Sequence, residues 1–202
     1  NKGYTGVIKM PRPENQIIED VTRKIQDVGV PAVDFVVSVL RSHDLVMVGG
    51  ASGGNIKQHL DFIDRLIPRL YAADVPALGV DFLLARDQDL LNKLLTADTF
   101  DSETADQLLF NYRVIFGYTE YKDILKKVWQ FNSTLADGQP PFMVYGLNVY
   151  QHYEFLQIED DVNDRQKILE VNRDGFPDSF MAEKAQELFL QQGRKAVIRL
   201  CG

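Results

Sequence analysis

Four short apolar runs, each separated from the next by helical patterns, constrain this chain more than any other feature. They are Asp44-Leu-Val-Met-Val48, Ala77–Leu84, Pro141–Leu147 and Lys195–Leu200. Runs of this length, unbroken by alternating polar residues, read as strands buried on both faces. That is the habit of parallel sheets, whose crossovers lay helices over both sides. The intervening segments supply the helices. Ile17, Ile18, Val21 and Ile25 recur on one face. Ala32–Leu40, opened by Pro31, reads as a buried helix. Ile56, Leu60, Ile63, Ile67 and Leu70 mark a third, which Pro68 is expected to kink or shorten. Helical spacing returns over 87–96, 102–113 and 119–132, and again from Asp178 to Gln191, between Pro177 and Gly193. Residues 150–172 are polar and read as helix without a strong period. The expected fold class is therefore α/β, a mostly parallel sheet flanked by helices. Residues 1–30 are read as an arm, or short edge strand, followed by a helix, and 31–202 as one α/β core domain.

Composition narrows the function classes. The chain has 202 residues, 45% of them hydrophobic, enough for one full core. No apolar stretch reaches the roughly 18 residues of a membrane helix. A net charge of -7 argues against a nucleic-acid surface, which needs a basic face. A single cysteine, Cys201, leaves no internal disulfide and no cysteine-based zinc site. The first residue is Asn1, read as a trimmed start that leaves room for an export signal already removed, so the compartment stays open.

In a parallel sheet, ligands gather beyond the carboxyl ends of the strands. The first such place is the loop Gly49-Gly50-Ala-Ser52-Gly53-Gly54 before a helix starting near Asn55. Its glycines permit close backbone approach and leave amide N–H groups for an anion, or the loop is a plain strand-to-helix turn. It matches neither the Walker loop nor the dinucleotide fingerprint. His59, one turn into that helix, is a further candidate. Asp81, alone among apolar neighbours on the second strand, is a costly residue to bury, and a metal-ligand or general-base role would account for it. Arg173, beside Asp174, is placed to bind a carboxylate or to stabilise negative charge, or simply to form a surface pair. Tyr145, on the third strand, is a candidate ligand contact. His43 precedes the first strand and His152 follows the third; no histidine pair has metal-ligand spacing. Glu159, Asp160, Asp161 and Asp164 read as a solvated helix start.

Four stretches resemble the erythromycin esterase-like and haem-uptake (Tiki/EreA/ChaN) superfamily. Leu45-Val-Met-Val-Gly-Gly-Ala-Ser-Gly-Gly-Asn55 is similar to its first strand and G-E-x-x-H loop. Leu78-Gly-Val-Asp-Phe-Leu83 with Asp87–Leu91 is similar to its second strand and acidic residue. Gly117–Tyr121 through Trp129–Asn132 and Val144–Leu147 resemble the helix entering the third strand. Arg173-Asp174, Met181-Ala182 and Ala196–Ile198 resemble the segment before the last strand. The resemblance implies a Tiki/EreA/ChaN-like core and a site built on a glutamate and histidine in the first loop, an acid on the second strand, an arginine and a final histidine. Here Gly50 and Gly53 stand at the first two positions, Asp81 replaces glutamate, Arg173 matches, and the final histidine would fall past Gly202, as though the core stopped one loop early.

The reading that follows is a degenerate, non-catalytic domain that binds a small molecule or a protein partner. Two alternatives stay open. One is a metal-dependent or acid–base hydrolase of the esterase or peptidase kind, using Asp81 and Arg173. The other is a phosphate- or haem-binding α/β protein, with Tyr145, Tyr150, Tyr153 or a histidine as haem ligand by resemblance alone. Neither haem nor a divalent metal is required by the residues themselves.

Overall fold

The computed structural model describes residues 14–49, 56–112, 119–156 and 164–200, apart from the side chains of Ile56 and His59. The chain divides into two compact units, Asn1–Pro31 and Ala32–Gly202. The described part of the first holds helix α1 (Asn15–Val28), whose apolar stripe Ile17, Ile18, Val21, Ile25 and Val28 is exposed.

The second unit is α/β, as the apolar runs predict. Its strands are β1 (Leu45–Gly49), β2 (Ala77–Leu84), β3 (Met143–Asn148) and β4 (Ala196–Leu200), in the spatial order β1-β4-β2-β3, all parallel. Its helices are α2 (Ala32–Val39), α3 (Ile56–Ala72), α4 (Gln88–Thr96), α5 (Ser102–Tyr112), α6 (Thr119–Asn132), α7 (Arg165–Val171) and α8 (Pro177–Leu188). The ambiguous stretch after β3 contains a 3₁₀ turn, Tyr153–Phe155, and then α7, whose N-cap Asp164 accepts from the Gln166 and Lys167 amides. The rest of the acidic run lies outside the described residues.

Side-chain alternation along the strands sorts the core into two layers. Leu78, Val80 and Phe82 of β2, with Val144 and Val197, pack against α2 to α6. Ala77, Leu147, Ala196 and Ile198 point to the other face, under Ala185 of α8 and Phe189. Every residue of β2 is buried, because it has a strand on each side and helices on both faces. Each large side chain so enclosed contributes about 1.5–3 kcal/mol of transfer free energy.

The structure corrects three expectations. The first apolar run is not a buried strand: among the described residues β1 is at the sheet edge, none of its residues is fully buried, and its Met47 is 66% exposed. Helix α2 buries only Val36, while Phe35 is exposed, so it lies on the core and not within it. Helix α3 is not shortened at Pro68 but runs on to Ala72. Leu66, Ile67 and Leu70 around the proline are buried, and this packing outweighs the lost backbone hydrogen bond.

The two sheet edges are finished differently. On β3, the Gln88 side chain donates to the Val144 carbonyl (2.9 Å) and accepts from the Gly146 N–H (3.1 Å), so one amide satisfies the outer edge at two points. Gly146 has no room for a side chain: a Cβ there would lie 2.6 Å from the Leu84 carbonyl oxygen. Before β3, Asn132 bonds both the N–H (2.7 Å) and the carbonyl (3.0 Å) of Phe142. On β1 the Asp44 carbonyl accepts from the Ala196 N–H (2.9 Å), facing β4. By alternation, the N–H and C=O groups of Leu45, Met47 and Gly49 face away from the sheet.

Candidate functional site

The carboxyl end of the sheet is where a ligand is expected, and there β2 and β3 lose their regular register. Val80 pairs with Gly146 but Leu84 with Asn148, so more residues of β2 than of β3 lie between the two pairs. Such a bulge re-aims side chains and breaks the ladder. The buried Asn148 side chain repairs the break: its amide donates to the Asp81 carbonyl (2.7 Å) and to the Tyr112 hydroxyl (2.8 Å), and its oxygen accepts from the Val149 N–H (2.9 Å). Asp81 itself is 8% exposed. On β4, Arg199 is buried in register with Val80, its guanidinium 5.3 Å from the Phe82 ring and 5.2 Å from the Tyr121 ring. A guanidinium on aromatic faces is a favourable way to enclose a cation.

Just past β3 the chain builds a second polar centre around His152. The ring is buried, with edge-to-face contact to Tyr150 at 4.8 Å and stacking on Phe155 at 5.6 Å. Both ring nitrogens face carboxylates: Nδ1 is 2.8 Å from Glu154 and Nε2 is 2.7 Å from Asp174. The His152 amide donates to the Val171 carbonyl at 2.8 Å, which ties the strand exit to the end of α7. Two arginines close the stack, Arg86 over Tyr150 at 4.5 Å and Arg173 over Phe155 at 5.0 Å. The hydrogen bond to Asp174, then that to Glu154, holds the imidazole pKa above its ordinary value. Reciprocally, the bond to His152 is the main cause holding Asp174 below the ordinary carboxylate value, with Arg173 and Arg86 adding to it. Glu154 is lowered by its own backbone N–H first and by His152 second. A cleft of about 430 Å³ adjoins this centre, lined by Phe155, Gln166, Leu169, Glu170 and Arg173.

The sequence candidates are thus dispersed. Asp81 and Arg173 both lie on the side of the sheet that β2 and β3 exit, but they do not meet. Arg173 contacts Asp174 (3.9 Å) and Phe155, not Asp81. Gly49 ends β1, while Gly50, Ser52, Gly53, Gly54 and Asn55 lie outside the described residues, as does the His59 side chain. Tyr145 lies in the first half of β3, edge-on to Phe189 at 5.4 Å, and lines a cavity at the amino ends of the strands. His43 is exposed, with Nδ1 near the Val39 carbonyl. Sequence reasoning noted His152 but not its partners. Glu154 is visible as a residue two places on, yet Asp174 is joined to it only by the fold. Among the described residues, no three His, Cys, Asp or Glu side chains are grouped to hold a metal ion. No described helix is long and apolar enough to cross a membrane.

No family profile and no curated protein matches this chain. Among solved structures it is similar to ChaN of Campylobacter jejuni, described for cofacial haem binding. That likeness has a TM-score of 0.54 and 13% identity, over 82% of this chain and 73% of that one. It is also similar to RRSP, a MARTX toxin effector domain from Vibrio vulnificus, with a TM-score of 0.52 and 15% identity over 92% of this chain. A further likeness, to a structure of bacterial protein toxins, has a TM-score of 0.52 and 13% identity over 90% of this chain. The chain spans only 33% and 32% of those two toxin chains. At such identities the likeness shows the fold, a ChaN-like α/β core.

Proposed function

We propose that this chain is a ligand-binding or interaction module on a Tiki/EreA/ChaN-like scaffold that does not itself catalyse hydrolysis. The observation that carries the reading is the commitment of His152. A general base needs a free nitrogen lone pair, and so does a metal or haem ligand. Here both nitrogens are held by carboxylates and the raised pKa favours the imidazolium, which has no lone pair to offer. The arrangement fastens the strand exit to α7 and leaves the adjoining cleft to bind. Gly50 and Gly53, at positions where the resembled family places a glutamate and a histidine, support the same reading.

Haem binding is attributed to the Campylobacter protein, and two of the tyrosines raised as haem ligands here are already engaged. Tyr150 is covered by Arg86 and bonded to Glu154 (3.3 Å), and Tyr153 is bonded to Gln151 (2.9 Å). The hydrolase reading is favoured by one feature, the burial of Asp81 near the carboxyl end of β2. A screen of p-nitrophenyl esters and casein peptides, with and without added zinc, manganese or magnesium, separates the two. The expected result is no turnover above the buffer rate. Metal-dependent turnover that Asp81→Asn abolishes would replace the binding reading with the hydrolase one.

A further inference from the structure

The opposite end of the sheet holds a feature that the carboxyl-end reading does not use. Beneath the amino ends of β2, β3 and β4 lies a cavity of about 640 Å³, within the range of small-molecule sites. One wall is apolar, with the stiff rings of Pro76, Pro140 and Pro141 beside the flexible Met143. Prolines have no side-chain rotamers to freeze, so contact with them costs little ordering. Tyr145 and Arg194 also line the cavity, and among the described residues neither the Tyr145 hydroxyl nor the Arg194 guanidinium has a hydrogen-bond or ion-pair partner. Lys195 adds positive charge, but its ammonium is engaged by the Leu40 and His43 carbonyls and lies 4.0 Å from Asp44. Asp74 completes the lining from a left-handed turn position (φ 59°). Two cations against one carboxylate leave the lining positive on a chain whose net charge is -7.

We propose that this cavity binds a small organic carboxylate with a flat apolar body. Among the described residues the guanidinium and the hydroxyl are the donors left without a partner, and a carboxylate accepts from both kinds of group. A dianionic phosphate fits less well, because Asp74 opposes it and Lys195 is already committed to backbone carbonyls. The proline and methionine wall takes the apolar body. The site is separate from the His152 centre, so it stands or falls independently of the function proposed above.

Phenylacetate is the probe, and 2-phenylethanol its neutral counterpart. Amide chemical shifts of the full 202-residue chain are followed by NMR during titration. Phenylacetate is expected to give saturable shifts at Ala77, Met143 to Tyr145 and Arg194, and to bind about tenfold more tightly than the alcohol, the ratio for one charge-assisted contact. Arg194→Gln should remove that tenfold preference and leave alcohol binding unchanged. Asp74→Asn, which tolerates the left-handed turn, should tighten phenylacetate a few-fold by removing the opposing charge. Circular dichroism melting of both variants verifies that each remains folded. Absence of these shifts at about 10 mM probe, shifts mapping elsewhere, or equal binding of acid and alcohol to the wild-type chain would each overturn the proposal.

Discussion

The two outer strands of the sheet, β3 and β1, are built from similar apolar runs and end in opposite conditions. The outer edge of β3 is met at two backbone groups by Gln88, its Gly146 leaves no room for a Cβ beside the Leu84 carbonyl, and its two ends are tied by Asn132 and Asn148. Among the described residues strand β1 pairs only with β4, turns the backbone groups of Leu45, Met47 and Gly49 away from it, and leaves Met47 exposed. The difference teaches that a continuous apolar run fixes strand formation but not strand position. What makes β3 a rigid edge is polar: three amide side chains, each saturating backbone groups that a neighbouring strand would otherwise have taken.

The comparison can be broken most forcefully at Gly146. Gly146→Ala drives a methyl into the Leu84 carbonyl, and about 3 kcal/mol of lost stability in urea unfolding is expected, the upper range for overpacking. A loss below about 0.5 kcal/mol would mean that β3 can shift outward, and is not locked. Gln88→Ala tests the amide seal. Two backbone groups lose their partner, at an expected cost of about 1–2 kcal/mol. The matching change on the other edge, Met47→Lys, should stay within about 0.5 kcal/mol of wild type, because the side chain is already in solvent. If the two edge variants cost the same, the distinction drawn between the edges is wrong.

The smallest effect is local and depends on pH. His152 has a raised pKa, so its contribution is complete below its ordinary value of 6.5 and is lost as pH rises through the raised value. Asp174 and Glu154 have lowered values, so theirs is complete above the ordinary 3.8 and 4.5 and is lost as pH falls through the lowered ones. Between about 4.5 and 6.5 all three act together. Hydrogen exchange of the His152 amide, corrected for its intrinsic pH dependence, should therefore be most protected in that window and less so on either side. The amides of β1, remote from any such centre, should show no maximum. A flat profile at His152 would mean that the carboxylates do not fasten the strand exit.

Much of this architecture is legible in the residues. The strand β2 is announced by Ala77–Leu84, and α6 by Tyr121, Ile124, Leu125 and Val128, all of them buried. Strand order is not legible, because a parallel sheet leaves no turn between neighbours to record which strands pair. Hence Leu45–Val48 reads as buried when, among the described residues, it forms an edge strand that is only partly covered. Pro68 is a related case: local propensity forecasts a kink or an early end, and with Leu66, Ile67 and Leu70 buried around it the helix does not end there. The candidate site is the least legible part. Asp81 stands out because a carboxylate among apolar residues is conspicuous at any position. The His152 centre depends on Asp174, which lies on the far side of α7, and on Arg86, which follows β2; no spacing rule joins them.

The placement of β4 between β1 and β2 governs the order in which this domain can form. Strands β2 and β3 are neighbours and can pair as soon as both have left the ribosome. Strand β1, synthesised before the other three, has no partner among the described residues until β4 arrives, because Leu45 pairs with Ala196. Until β4 is made, therefore, β1 lacks that partner, and β4 must wedge itself between two older strands. Such a topology makes sheet completion a late, long-range event. Any shortening that removes β4 would split the described sheet in two, parting β1 from β2 and β3, which remain side by side.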